Sequence, residues 1–338
     1  MLSKLFEALY HKIFVNIVVG RAQSIVYIEE CSKTDVISSD SKIFDTTTIN
    51  SKMYEHINSV IQESPFYYIS VLDNSPTQGA IPTCNSRDMS VFCNLESSKY
   101  ICYKDKWAYH TSKPDLDSLQ KAYPNIGLDF VFSPFVVLTN FFKDKIDTSL
   151  ALFILIEDNY MTLSVFDNSK LLYGDHIDME HDSSEHEELL IDDDNVEEVD
   201  LDLEGSIDLD DIDTMDNIES LDDFGDIEDL DSIDEIDEFA EQENEEELEE
   251  EVDGLPADDM DGFNEDYQRF SLIQSSVNRF YKDSKYDSEF VESVYIADGA
   301  GVSGDLKRYL EDEMFFSVFI RHVDLSAEVC EIAKAELK

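Results

Sequence analysis

The residues best suited to chemistry fall in one turn, Asp298-Gly-Ala-Gly-Val-Ser-Gly-Asp, which leads into the amphipathic stretch beginning at Leu306. Gly299 and Gly301 carry no side chain, so a backbone there can approach a ligand such as a phosphate closely. Ser303-Gly304-Asp305 could offer a hydroxyl nucleophile, but its position before Leu306 reads as a helix N-cap. Arg21, in the short link between two β-branched runs, could contact a phosphate, against which stands the ordinary reading of a solvated hairpin arginine. The seven histidines are scattered and form no triad or metal spacing, so no catalytic residue and no metal site is expected. Asp200, Asp202, Glu204, Asp208 and Asp211, with Gly205 at the sixth position, mimic a calcium loop. In a stretch where about every second residue is acidic that match arises by chance, and Asp211 stands where glutamate is usual.

Charge is distributed very unevenly along the chain. Of 78 acidic residues, 43 lie between Glu180 and Asp266, where there is no lysine or arginine; the formal net charge of the whole is -54. The remaining residues are only mildly acidic and numerous enough for one large core or two smaller ones. Nucleic acid and anionic membrane are disfavoured as partners, since both repel such a surface inside the screening length. Five cysteines, Cys31, Cys84, Cys93, Cys102 and Cys330, lack a Cys-x-x-Cys pair, which predicts reduced, buried thiols. No run of 18 or so apolar residues spans a bilayer and the first residues lack a cleavage signal, so residence in the cytoplasm is expected.

The elements that must position these residues alternate strand and helix. A short amphipathic helix opens the chain. Ile13 to Gly20 and Ser24 to Glu30 predict a hairpin, with a third strand near Lys42 to Asp45. Apolar residues at helical spacing from Ile49 to Glu63 stop at Ser64-Pro65, ahead of the strand Phe66 to Leu72, which reads as buried on both faces. Residues 73 to 114 suggest a small irregular subdomain. Asp115 is expected to cap a helix reaching Tyr123; a strand over Leu128 to Phe132, a helix started by Pro134, and a meander through Leu150–Ile156, Thr162–Phe166 and Lys170–Asp175 follow. From about 180 to 266 like charge and scarce aromatics predict disorder. Within it apolar residues recur every third position from Ile212 to Phe239, a spacing that winds around a helix and faces no single partner. It reads as an acidic docking tail or as a plain solvated spacer. Order is expected to resume at Tyr267.

Val294-Tyr-Ile-Ala-Asp-Gly-Ala-Gly-Val-Ser-Gly-Asp-Leu-Lys-Arg-Tyr-Leu, with Ser317-Val-Phe-Ile-Arg-His-Val-Asp-Leu after it, resembles the adenosine-motif region of actin-like proteins. More narrowly it is similar to the PilM family of type IV pilus assembly proteins and the cytoplasmic domain of the type II secretion protein GspL. The order of elements from Leu119 to Asp175 and the helix carrying Ser276-Val-Asn-Arg-Phe-Tyr sit where that family has theirs. The resemblance implies an α/β, actin-like fold, a duplicated ribonuclease H-like architecture, interrupted here by a disordered acidic insertion. It divides the chain into 1–179, the first half plus the start of the second; 180–266, the insertion; and 267–338, the remainder.

In that family two hairpin turns hold phosphates, each with a nearby Asp. Here Val18 or Val19 and Leu155 stand where those aspartates would fall, Gly20 is followed by Arg21 and Gln23, and Glu157-Asp158-Asn159 replaces small residues. Asp298 replaces a first glycine. A vestigial nucleotide site would involve Gly20, Arg21, Asn159, Gly299 and Gly301. No cofactor is expected; ATP is the disfavoured alternative. The resemblance implies a scaffold that binds the cytoplasmic tail of a bitopic, PilN-like inner-membrane protein, in a groove lined by Phe66–Leu72 and the loop Asn74–Pro82. The acidic insertion would meet a basic protein surface. A working actin-like ATPase and an acidic decoy protein are the alternatives.

Overall fold

Strands β1 (Lys12–Val19) and β9 (Ala151–Ile156) are almost continuously apolar because both of their faces are covered. Ile13, Val15 and Ile17 pack on one side of their sheet and Phe14 and Val18 on the other; Leu152, Ile154 and Ile156 divide from Phe153 and Leu155 in the same way. The computed structural model describes residues 10–33, 35–124, 126–179 and 257–337, with side chains of the last segment from Glu265. The opening helix of the sequence reading, most of the acidic insertion, its three-residue repeat and the calcium-like loop lie outside these residues.

β1 starts an antiparallel meander with β2 (Ser24–Ser32) and β3 (Asp35–Phe44). After helix α1 (Ser51–Ile61), β4 (Phe66–Leu72) returns parallel to β1, and β8 (Phe130–Phe132) adds parallel to β4. The first sheet therefore runs β3-β2-β1-β4-β8. The second repeats the scheme. β9, β10 (Tyr160–Asp167) and β11 (Lys170–Asp178) form the meander, and β12 (Ser293–Asp298) and β13 (Ser317–His322) add parallel to β9, giving β11-β10-β9-β12-β13. Helix α5 (Ala257–Lys282) precedes β12 and α6 (Gly304–Asp312) joins it to β13. Two copies of one strand order, a three-strand meander followed by two parallel crossovers, make this a duplicated ribonuclease H-like, actin-like fold.

Two helices tie the halves together. Helix α4 (Pro134–Phe141), with proline at its first turn, follows the first sheet and packs on β9 and β10 of the second. Helix α7 (Leu325–Glu336) leaves the second sheet and packs back on β1, β2 and β4 of the first. There Lys334 meets the buried Glu29 at 2.6 Å.

Several expectations need correction. Residues 73–114 are not irregular: β5 (Gly79–Ile81), the single turn α2 (Ser86–Met89), β6 (Ser98–Tyr103) and β7 (Trp107–Ser112) form a three-stranded sheet, β5-β7-β6. Ser112, not Asp115, caps α3 (Lys113–Ala122); the Asp115 amide is the donor to its hydroxyl. The third strand is ten residues long and exposed along nearly its whole length, which is why an apolar count found only its end. β4 is closed on both faces only from Ile69 onward. Helix α5 begins ten residues before the point at which order was expected to resume.

The cysteines are a further correction. Cys84 and Cys102 form a disulfide with Cα atoms 5.6 Å apart, so five reduced thiols is wrong by two. Strand register, not spacing along the chain, carries Cys102 to the loop after β5. Cys31 and Cys330 are buried free thiols, each pushed up to about 12 first by burial and further by Glu29.

Candidate functional site

Three turns carry the residues singled out in the sequence, and in each the chain's own groups supply the hydrogen-bond partners. In the first, Gly20 N–H donates to the Gln23 carbonyl at 2.8 Å and the Gln23 amide donates to Asp45 at 3.1 Å. Gly20 has no positive φ, and a Cβ there would meet only ordinary contact, so nothing in the turn requires glycine. Arg21 is exposed at its tip.

The second turn, Glu157-Asp158-Asn159, closes with Glu157 N–H to the Tyr160 carbonyl at 3.0 Å, and the Asn159 carbonyl accepts from Met179 N–H at 2.9 Å. The Asn159 side-chain oxygen is buried without a hydrogen bond. Burial, reinforced by Asp158 and Asp298, pushes the Glu157 carboxyl up to about 8. It is therefore largely protonated at neutral pH. Glu157 lies against Gly299 so closely that a Cβ on that glycine would collide with the carboxylate. Gly299 thus makes room for Glu157.

In the third turn the backbone donors are taken one by one. Gly299 N–H goes to the Ile156 carbonyl at 2.9 Å; Gly301 and Val302 N–H both go to the Asp298 carboxylate, at 2.7 and 3.1 Å. Ser303 N–H and hydroxyl go to Asp266, and Asp305 N–H goes to the Ser303 hydroxyl, which is the N-cap expected from the sequence. Gly301, at φ 79°, is the one position here that needs glycine for its conformation. An amide nest of this kind is what would receive an anion, and Asp298 fills it.

Asp266 is the residue that reading the sequence missed. Fully buried, it also accepts from Arg269 at 2.8 Å, so it joins α5 to the turn before α6. Composition assigned it to the acidic run; the first base after that run, three residues on, is the signal that marks it as a helical ion pair. Among the described residues no group of three potential ligands could hold a metal ion.

The Glu157 carboxyl has a measurable consequence. Its proton is held more tightly in the folded state than in the unfolded chain, so stability falls as pH rises from about 4.5 to about 8 and is then flat. Glu157→Gln is expected to raise unfolding free energy at pH 8 by about 4 kcal/mol and to change nothing at pH 4. Urea melts of both proteins at the two pH values check this; equal melts at pH 8 would place the carboxyl in water.

A groove lies elsewhere, between the small sheet and the first sheet. Its walls are β6 and β8, each the open edge of its own sheet. One part, a cavity of about 200 Å³, is lined by Asp73, Gln78, Ile101, His110, Leu116 and Val131; it continues past Tyr109 into one of about 590 Å³ over Tyr103, Phe130, Val136 and Ile332. Its base is locked. The Gln78 amide donates to the carbonyls of Asp73 and Ser75, Ser133 donates to Gln78 at 2.9 Å, and Asp73 accepts from Ser75. Burial raises the Asp73 carboxyl above its ordinary range. Of the strand and loop expected to line a partner groove, Ile69 to Leu72 are sealed inside the sheet, and from the Asn74–Pro82 loop Gln78 lines this cavity. β6, β7, α3 and β8 supply most of the rest.

The duplicated strand order defines the class: this is an actin-like fold. Residues 152–338, the second sheet through α7, match the family described as Domain of unknown function (DUF8341), and the chain belongs to that family. Residues 10–139, the first sheet and the small one, match a second, Domain of unknown function (DUF8569). No curated protein matches by sequence. Among solved structures, the chain is similar to a protein of Bacteroides thetaiotaomicron with an actin-like ATPase fold and unknown function, at 11% identity and a TM-score of 0.48 over 98% of this chain and 99% of that one. It is also similar to the PilM–PilN type IV pilus biogenesis complex, at 9% identity and a TM-score of 0.48 over 93% and 89%. MreB 5 of Spiroplasma citri bound to AMPPNP follows, at 10% identity and 0.41 over 96% and 97%. The fold is assigned here by strand order, not by these distant likenesses.

Among the described residues no helix is long and apolar enough to cross a membrane.

Proposed function

We propose that this chain is a PilM-like cytoplasmic scaffold without ATPase activity, which holds in its groove the extended cytoplasmic tail of a bitopic, PilN-like inner-membrane protein. Such a scaffold would help to assemble an envelope-spanning machine: a type IV pilus, a type II secretion system or a flagellar-motor accessory structure. One observation carries the reading: two open sheet edges wall a preformed groove with an apolar floor. An extended peptide satisfies its own backbone by pairing with such an edge while its alternate side chains enter the cavities. The sequence resemblance supplies the identity of the partner. Against nucleotide stand the turns already described: Asp298 and Asp266 satisfy the amides a triphosphate would need and Glu157 fills the space beside Gly299, while the charge of the two aspartates would repel it. The acidic segment, in this reading, meets a basic surface of the same assembly.

The test uses fluorescent peptides copied from the cytoplasmic tails of bitopic membrane proteins encoded beside this chain. Ile101 is exposed on β6, so Ile101→Glu should leave the melting temperature unchanged and weaken binding of the cognate tail by about tenfold or more. Equal binding by the variant would remove the groove from the account.

A further inference from the structure

Three phenylalanines are left in solvent at one end of the second sheet: Phe290 is 70%, Phe315 83% and Phe319 49% exposed. β12 and β13 pair in parallel with Ser293 opposite Ser317, and Ser317 N–H donates to the Glu292 carbonyl at 2.8 Å, so Glu292, two residues after Phe290, lies beside Ser317, two residues after Phe315 and two before Phe319. Phe319 is held in place by stacking on Tyr295, at 5.1 Å, which stacks in turn on Phe153 at 5.3 Å. Its other face is bare. Phe315 follows α6 at φ 58°, a left-handed conformation that an aromatic residue adopts at a cost and glycine would adopt freely. Among the described residues the ring, 83% exposed, gains little burial in return. β13 is also the free edge of its sheet.

The charge around the rings selects what can cover them. Glu289, Glu292, Asp312 and Glu313 are exposed beside the phenylalanines. Lysine and arginine are absent from Tyr286 to Leu306 and from Tyr309 to Ile320, and Arg321, two residues past Phe319 on β13, is engaged by Asp144 at 3.2 Å. A second copy would bring the same negative charge to the contact. The chain's own acidic segment and an anionic membrane are repelled for the same reason. Lysine or arginine side chains would be attracted both to the carboxylates and to the faces of the rings, and apolar side chains between them would cover the remainder.

We propose that the β13 edge, with Phe290, Phe315 and Phe319, is a docking site for a basic protein segment in which lysine or arginine alternates with apolar side chains. The site lies on the second sheet and is independent of the groove reading. A ten-residue peptide of alternating lysine and leucine, labelled with a fluorophore and a benzophenone, is the probe for the full chain. The expected result is cross-linking within residues 287–322 and an affinity about tenfold weaker for the Phe290→Ser, Phe315→Gly double variant, whose melting temperature is not lowered. Ile101→Glu should bind the probe like the parent, which separates this site from the groove. Cross-links confined to residues 180–266, equal binding by the double variant, or equal binding of a lysine–serine peptide would overturn the proposal. So would a concentration-dependent dimer that the double variant abolishes, since the rings would then serve a second copy.

Discussion

Lys334→Met is expected to lower the free energy of unfolding by about 3–5 kcal/mol, the range for removing one partner of a buried ion pair. Glu29 is buried on β2, and its carboxylate accepts from Lys334 at 2.6 Å, from Cys31 at 3.2 Å and from Tyr27 at 3.1 Å. Burial alone would raise this carboxyl; the Lys334 ammonium, with the donors from Cys31 and Tyr27, brings it below its ordinary value instead. Without Lys334 the charge has no cation in a region water reaches poorly. The loss extends beyond one contact, because Lys334 is on α7 and α7 is what returns the second half of the chain to the first sheet. Hydrogen exchange should show α7 loosening before the strands of either sheet. The double variant Glu29→Leu, Lys334→Met should recover most of the stability, since an apolar pair avoids the desolvation that the ion pair must overcome. A single variant as stable as the parent would mean that Glu29 finds water.

The second large effect is expected at Asp266. Asp266→Ala removes the acceptor for Ser303 N–H and hydroxyl and leaves the Arg269 guanidinium, itself buried, with only the exposed Glu265 at 3.3 Å. About 3 kcal/mol of stability should go. The amides of residues 301 to 303 should lose hydrogen-exchange protection in the same variant, because the turn before α6 is held at one end by Asp298 and at the other by Asp266. Asp266→Asn should fall between, keeping one acceptor without the charge. If Asp266→Ala unfolds like the parent, the acidic run ends where composition placed it and α5 starts later.

Much of the fold was readable from residue pattern because most elements announce themselves locally. The β-branched runs around Gly20, the Pro134 helix start and the Asp167-Asn168-Ser169 turn, whose last two residues adopt positive φ, all fell where expected. The actin-like architecture itself needed the resemblance carried by the residues from Val294 onward. What pattern could not supply were facts created by distant contact. β3 is exposed along all but its last residue and pairs along the edge that β2 offers. The Cys84–Cys102 bond and the groove both arise from how the small sheet folds over the first. Strand Phe66–Leu72 looked like a groove wall by position, yet from Ile69 onward packed faces and parallel neighbours close it. Asp266 was hidden by its neighbours in the acidic run: Arg269, three residues on, is a local sign of its ion pair, but its bond to Ser303, 37 residues away, is not.

The site residues divide in the same way. Gly299 and Gly301 were singled out for close backbone approach, and the approach is real, but what comes close is Glu157 in one case and the chain's own Asp298 in the other. Such internal carboxylates are the physical core of the account, which therefore turns on nucleotide. Titration of the full chain with magnesium-ATP in a calorimeter tests it most directly. The account predicts no saturable heat up to millimolar nucleotide, with the same result after Glu157→Gln. Saturable binding at micromolar nucleotide, lost on Gly301→Val, would contradict it and assign the turns to nucleotide.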